Sequence, residues 1–372
     1  FAIITEIRDN MEMIFDYILP ENLIANFPPK ERGTTRLLVI DRKTGEISHK
    51  RYFNVVDYIK PGDVVVLNRT KVINVRTFPI VARTGKKVQL LFLNNIQKNN
   101  IVDNEETNSY LERKFGKDEV EYWYALIGRA KNVKIGDILQ FKDDEEVEII
   151  HRNEGEAGFI VACHKEITST IFSKYGHVPL PPYIKRDDNE DDKIRYNTVF
   201  AKIDGSVAAP TASLNITDDI LNQIKAKGAF IAYVELKVSW GTFSPVNTSD
   251  YRDFKIHGEY YNVLPEDADI INRAKANGGN VFSFGTTVTR VLESLAENGK
   301  IKSGGGYTNI YIYPGYKWKF VDHLVTNFHT PRSSLILLVN SFLGEGLTEK
   351  AYNIAIKEGY AFLSYGDSML II

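Results

Sequence analysis

Between Thr77 and Cys163 the chain changes to short β-rich segments with turn signals, and after residue 164 a helical period alternates with apolar strands. The segments TFPIVA, KKVQLLFL, EVEYWYALI, DILQF, EVEIIH and GFIVAC follow one another with turn residues between them, the texture of a small antiparallel barrel or sandwich. The polar stretch 94–119 among them has few apolar residues and reads as a hairpin tip. Outside this region RLLVIDR and DVVVLN read as buried strands. Thr217 caps DDILNQIKAKG, Pro265 opens PEDADIINRAKANGG, and FIAYVELKV, NVFSF, NIYIY and SLILLVNSF supply strands or buried segments. A block of strands inside an alternating pattern is an insertion. The expectation is an α/β fold: a split α/β core of residues 1–72 plus 165–372, with an inserted antiparallel β-barrel domain at 73–164.

At 372 residues and 43% hydrophobic, the chain can bury a sizeable core. A net charge of -2 announces no nucleic-acid binder globally, so contact with RNA would need local basic patches. Cys163 is the only cysteine, which excludes an intramolecular disulfide, argues against a cysteine-based metal site and fits a cytoplasmic setting. No stretch of about 18 apolar residues suggests a membrane span, and FAIITEIRDN lacks the pattern of a signal peptide. The nucleotide, phosphate-loop, hydrolase and zinc signatures are missing, and the seven histidines show no ligand spacing, so neither a metal nor a bound cofactor is expected.

Four stretches carry chemistry. GSVAAPTASLNIT, residues 205–217, brings small side chains up to a helix start, where backbone N–H groups can approach a ligand or simply pack closely. In NVFSFGTTVTRVLESLA a buried strand turns through Gly285, Thr286 and Thr287 into a helix, offering donors to a carboxylate, ribose or phosphate; an ordinary N-cap reads the same way. SWGTFSPV contains Gly241 and Thr242, and in KIHGEYY the spacing of His257 and Glu259 aims both to one face of an extended segment. VTNFHTPRSSL sets Asn327 and His329 in a loop before Pro331, at the rim of the core.

Together with GHVPLPPYI, RYNTVFA, GTFSPV, HGEYY, FGTTVTRVLE, YIYPGYKWKFVDHLVTNFHTPRSSL and SYGDSMLI, these blocks resemble the S-adenosylmethionine:tRNA ribosyltransferase-isomerase family of queuosine biosynthesis, in one order from FDYILPENLIA to Ile372. The resemblance implies transfer of the ribosyl part of S-adenosylmethionine onto 7-aminomethyl-7-deazaguanine at the tRNA wobble position. The products are epoxyqueuosine-tRNA, adenine and methionine. It also implies no metal or bound cofactor, S-adenosylmethionine and tRNA as partners, and a β-barrel inserted in an α/β core. A monomer is expected.

That chemistry needs a base for the carbon beside the sulfonium, an acid for departing adenine and anchors for the methionine carboxylate. The candidates for proton transfer are His329, Glu259, His257 and Asp367. Ser206, Ala208, Ala209, Pro210, Thr211, Gly241, Thr242, Gly285, Thr286, Thr287, Arg290 and Asn327 are candidates for substrate binding. Arg69, Lys71, Arg76, Arg83, Lys86, Lys87, Arg129, Lys131 and Lys134 are the basic residues expected to meet tRNA. The chain departs from the family pattern at three places. It reads LNRTKVINVR where members read LNDTRVIPAR, so Arg69 replaces an acid. It reads SLNIT for GLHFT, so Asn215 replaces a histidine, and Asn309 stands for an aspartate. A second reading therefore stands beside the enzyme: a paralogue that binds nucleoside or RNA without this transfer, or uses another acceptor.

Overall fold

The computed structural model describes residues 16–96, 105–116, 119–152, 158–239 and 245–372; Gly241 and Thr242 lie outside them. Two compact units emerge. One takes in the described residues up to Lys71 with Pro181–Asp187 and Ile194–Ile372, and the other Val72–Leu180 with Asp188–Lys193.

The first unit is built on VVVLN. Val64–Asn68 is buried at every position, as a strand covered on both faces must be. It pairs in parallel with Phe230–Leu236 on one side and Val281–Phe284 on the other, and Val281–Phe284 pairs in parallel with His323–Asn327. Antiparallel Ser368–Ile371 follows, then Arg36–Ile40 and Ile47–Arg51, while Glu259–Val263 and Gly304–Thr308 extend the opposite edge to nine strands. Alternate residues of Val64–Asn68 point to opposite faces. Val64 and Val66 pack with Ala268 and Ile271 of helix Pro265–Ala276 and with Val288 and Val291 of helix Thr286–Leu295. Val65 and Leu67 pack with Ile220 and Ile224 of helix Asp218–Ala226. The segment SLILLVNSF is a helix, Ser334–Leu343, rather than a strand: Ser333 caps it by accepting from Ile336 N at 3.3 Å, and its apolar residues are buried except Leu335, which is half-buried.

Glu293, fully buried on helix Thr286–Leu295, accepts from the backbone N–H of Lys319, Phe320 and Val321, each at 3.0 Å, and from the Tyr316 hydroxyl at 3.1 Å. One carboxylate thus satisfies three successive backbone donors at the end of the irregular segment YKWKFV.

The second unit is mixed with helix, and its sheet is not the closed barrel expected from the strand count. Eight antiparallel strands run in the order Arg76–Thr77, Leu90–Ile96, Val120–Ile127, Gly158–His164, Glu146–Arg152, Ile138–Gln140, Ile80–Val81, Lys86–Lys87, and the two ends do not pair. Register shifts between Phe92 and Asn94 and between Ile149 and His151 curl the sheet. Closure fails because one end strand is already occupied: Arg76 N donates to His177 O at 3.3 Å and His177 N returns a bond to Arg76 O at 2.7 Å. The other end is two exposed lysines, a charged edge unsuited to further pairing. Within the stretch read as a hairpin tip, Glu105–Phe115 is a helix. Its buried Leu111 packs against Tyr122 and Ala162, and that one apolar anchor was too little for a periodic signal.

Candidate functional site

In a parallel sheet the chain leaves each strand at the carboxyl edge, and ligand crevices form there. Val281–Phe284 and His323–Asn327 are parallel neighbours, so their exits, Gly285–Thr287 and Phe328–Thr330, lie side by side. Both exits line a pocket whose further wall is Ala208–Ala212, closed by Tyr183, Leu335 and Ser364, around a cavity of about 80 Å³.

Gly285 makes the first turn possible. Its φ of +103° is a conformation side chains rarely adopt, although a Cβ there would find ordinary 3.6 Å contacts with Ala212 and Thr287. Gly285→Ala is therefore expected to destabilise the fold by about 1–3 kcal/mol through backbone strain alone, measured by urea unfolding. The helix that follows directs its first N–H groups toward the pocket. Thr287 Oγ1 is buried there without a hydrogen-bond partner.

His329 is buried, with Nε2 hydrogen-bonded to Thr326 Oγ1 at 2.8 Å. Its backbone N donates to the Tyr352 hydroxyl at 3.1 Å, and its carbonyl accepts from the Tyr17 hydroxyl. Burial pushes the imidazole pKa down to about 3, so the ring is neutral at physiological pH. Asn327 accepts from Thr211 Oγ1 at 2.8 Å, tying the small-residue wall to the strand exit. Tyr52 donates to Ala212 O at 2.5 Å and holds the same wall from behind.

The fold brings Ala208, Ala209, Pro210, Thr211, Gly285, Thr286, Thr287, Asn327 and His329 into this one pocket. Other candidates stand outside its lining. Glu259 and Arg290 form a buried ion pair in which Glu259 also accepts from Ser239 N at 2.8 Å; they line a small neighbouring cleft with exposed His257. Asp367 accepts from Arg36 N at 2.6 Å and Ala361 N at 2.8 Å, and burial raises its pKa. Ser206 bridges Ala208 O and Val238 N, shaping the loop without facing the cavity. Tyr183, Thr326 and Ser364 line the pocket although sequence reasoning missed them; Tyr183 and Ser364 lie in the GHVPLPPYI and SYGDSMLI blocks, and their hydroxyls meet at 2.6 Å.

None of the three departures lines the pocket. Arg69 binds Glu235 at 2.7 Å and Asp267 at 3.4 Å, Asn215 accepts from Gly33 N at 3.4 Å, and Asn309 is exposed. Paired this way, Arg69 has little left for a phosphate. Lys71 lies 3.5 Å from Asp204. Arg76 pairs with Asp188 at 2.9 Å and Arg83 with Asp137 at 2.7 Å, whereas Lys86, Lys87, Arg129, Lys131 and Lys134 are exposed on the curled-sheet unit. Among the described residues no cluster of three His, Cys, Asp or Glu could hold a metal, and no helix is long and apolar enough to cross a membrane.

A crevice at the carboxyl edge of a parallel sheet, with small residues on one wall and a helix N-terminus on another, is the usual ligand site of the α/β class. The chain belongs to the queuosine biosynthesis protein family, whose profile matches residues 13–371. It is 41% identical to the S-adenosylmethionine:tRNA ribosyltransferase-isomerase of a Sulfurihydrogenibium species, over 96% of this chain and 98% of that one. The protein of that name from Nitratidesulfovibrio vulgaris is 43% identical over 96% of each chain. The crystal structure of an S-adenosylmethionine tRNA ribosyltransferase from Thermotoga maritima matches with a TM-score of 0.52 at 27% identity, over 96% of this chain and 99% of that one.

Proposed function

We propose that this chain is a transferase-isomerase that moves the ribosyl moiety of S-adenosylmethionine onto 7-aminomethyl-7-deazaguanine at the tRNA wobble position, releasing adenine and methionine. The observation that carries the reading is the identity of 41–43% to relatives of that name across 96% of the chain. The pocket suits the donor. The Ala208–Pro210 wall admits a flat nucleoside face, and Thr286 and Thr287 at the helix N-terminus offer donors to the methionine carboxylate or a ribose hydroxyl. At about 80 Å³ the cavity must widen to take the whole donor.

His329 is the group for proton transfer. The sulfonium acidifies the adjoining 5′ carbon; the neutral imidazole takes that proton as a weak base, and its low proton affinity makes the imidazolium a strong acid toward departing adenine. The tRNA amine then attacks the sugar, and ring closure expels methionine. S-adenosylmethionine is consumed as a substrate, and the protein works as a cytoplasmic monomer. Incubation with S-adenosylmethionine and tRNA carrying the 7-aminomethyl base should release adenine and methionine in step with loss of the acceptor. Absence of adenine release would overturn the reading.

A further inference from the structure

The curled-sheet unit has a cavity of its own, about 590 Å³, that the proposed chemistry does not use. Its walls carry two aromatic faces. Phe78 lies against His177, edge to face at 5.2 Å, and Phe141 and Tyr175 lean together at 5.3 Å with their planes 30° apart. Three lysines, Lys87, Lys142 and Lys174, stand around these rings, and no carboxylate lines the cavity. Lys174 is held by Glu145 at 3.1 Å and Asp143 at 3.8 Å, both of which also accept from the Tyr175 hydroxyl, and His177 is held by Asp188 at 2.9 Å. Lys87 and Lys142 are exposed and make no ion pair with any described residue; Lys87 Nζ sits 5.2 Å above the Phe78 ring.

We propose that this groove binds an unpaired nucleotide of the acceptor tRNA, its base stacked on Phe141 or Phe78 and its flanking phosphates on Lys87 and Lys142. The proposal rests on tRNA being the acceptor. The reasons for an RNA occupant are the half-buried aromatic faces beside two exposed lysines that make no ion pair with any described residue, Lys87 and Lys142, and a volume that takes a nucleotide. A purely apolar peptide would leave both lysines unmatched. A chain of net charge -2 also has to concentrate positive charge somewhere to hold a polyanion.

The test measures binding of the acceptor tRNA by fluorescence anisotropy across a salt series, apart from turnover. The double variant Lys87→Ala/Lys142→Ala should bind about tenfold more weakly, and the slope of log K against log salt should fall by about 1.5. Lys87→Arg/Lys142→Arg should restore both. Phe141→Leu keeps an apolar side chain but loses the stacking face; it should weaken binding about tenfold with the salt slope unchanged. Unaltered affinity and slope in the lysine variant, or no affinity in the unmodified protein, would overturn the proposal. Should Phe141→Leu fail to fold, the lysine variant still decides, because both lysines are exposed. Adenine release with unaltered RNA affinity in the variants sinks this groove alone, whereas RNA affinity without adenine release sinks the proposed reaction alone.

Discussion

Replacing His329 by glutamine is expected to lower adenine release by about two orders of magnitude while affinity for S-adenosylmethionine changes little. Glutamine can keep a hydrogen bond to Thr326, now 2.8 Å from Nε2, but it cannot take and return a proton. A matching loss of donor affinity would make His329 a binding residue, and full activity would move the base elsewhere. The ring also has a pH signature. In the unfolded chain it takes a proton near pH 6.5, whereas in the fold it resists protonation down to about 3. Between those values the unfolded state binds more protons. His329's contribution to stability is thus full above pH 6.5 and is lost as pH falls toward 3, by at most about 1.4 kcal/mol per pH unit. Urea unfolding at pH 7.5 and 5 should show that loss in the native sequence and less of it in His329→Gln. Over the same range the activity profile should show no inflection from His329 near 6.5.

The second large effect falls on the pair beside the pocket. Glu259→Ala is expected to destabilise the first unit by about 3–5 kcal/mol, because Arg290 would stay buried with only carbonyls as partners. The side chains of Arg290 and Glu259 are only 6% and 2% exposed, so water cannot replace the lost charge. Arg290→Met alone should cost a similar amount, and Glu259→Leu/Arg290→Met together should recover much of it, a coupling that a double-mutant cycle in denaturant reads directly. If Glu259→Ala instead folds with native stability and loses turnover, Glu259 is a proton-transfer group after all.

That contrast shows where sequence was informative. Small residues, glycines and a histidine before proline can be read as approach points because their chemistry is local, and Ala208–Thr211, Gly285–Thr287, Asn327 and His329 line one pocket. Carboxylates are harder. Asp367 reads as a candidate acid in a string of letters, yet it accepts from the backbone N–H of Ala361 nearby and of Arg36, far away in sequence, much as Glu293 accepts from Lys319–Val321. Nothing in the neighbouring residues records those partners. Strand texture foretold an antiparallel sheet, but whether it closes turned on His177 occupying the free edge of Arg76, a long-range fact. Tyr183 escaped notice because a tyrosine among prolines resembles any core aromatic until Ser364 meets it.

Arg69 is the shared cation of Glu235 and Asp267. An aspartate written back at position 69, in the manner of LNDTRVIPAR, would here crowd three acids into one half-buried site with no cation among them. Arg69→Asp is therefore expected to destabilise the first unit unless positions 235 and 267 change with it. Arg69, Glu235 and Asp267 balance one another's charge, so an exchange at any one of them has to be matched at the others.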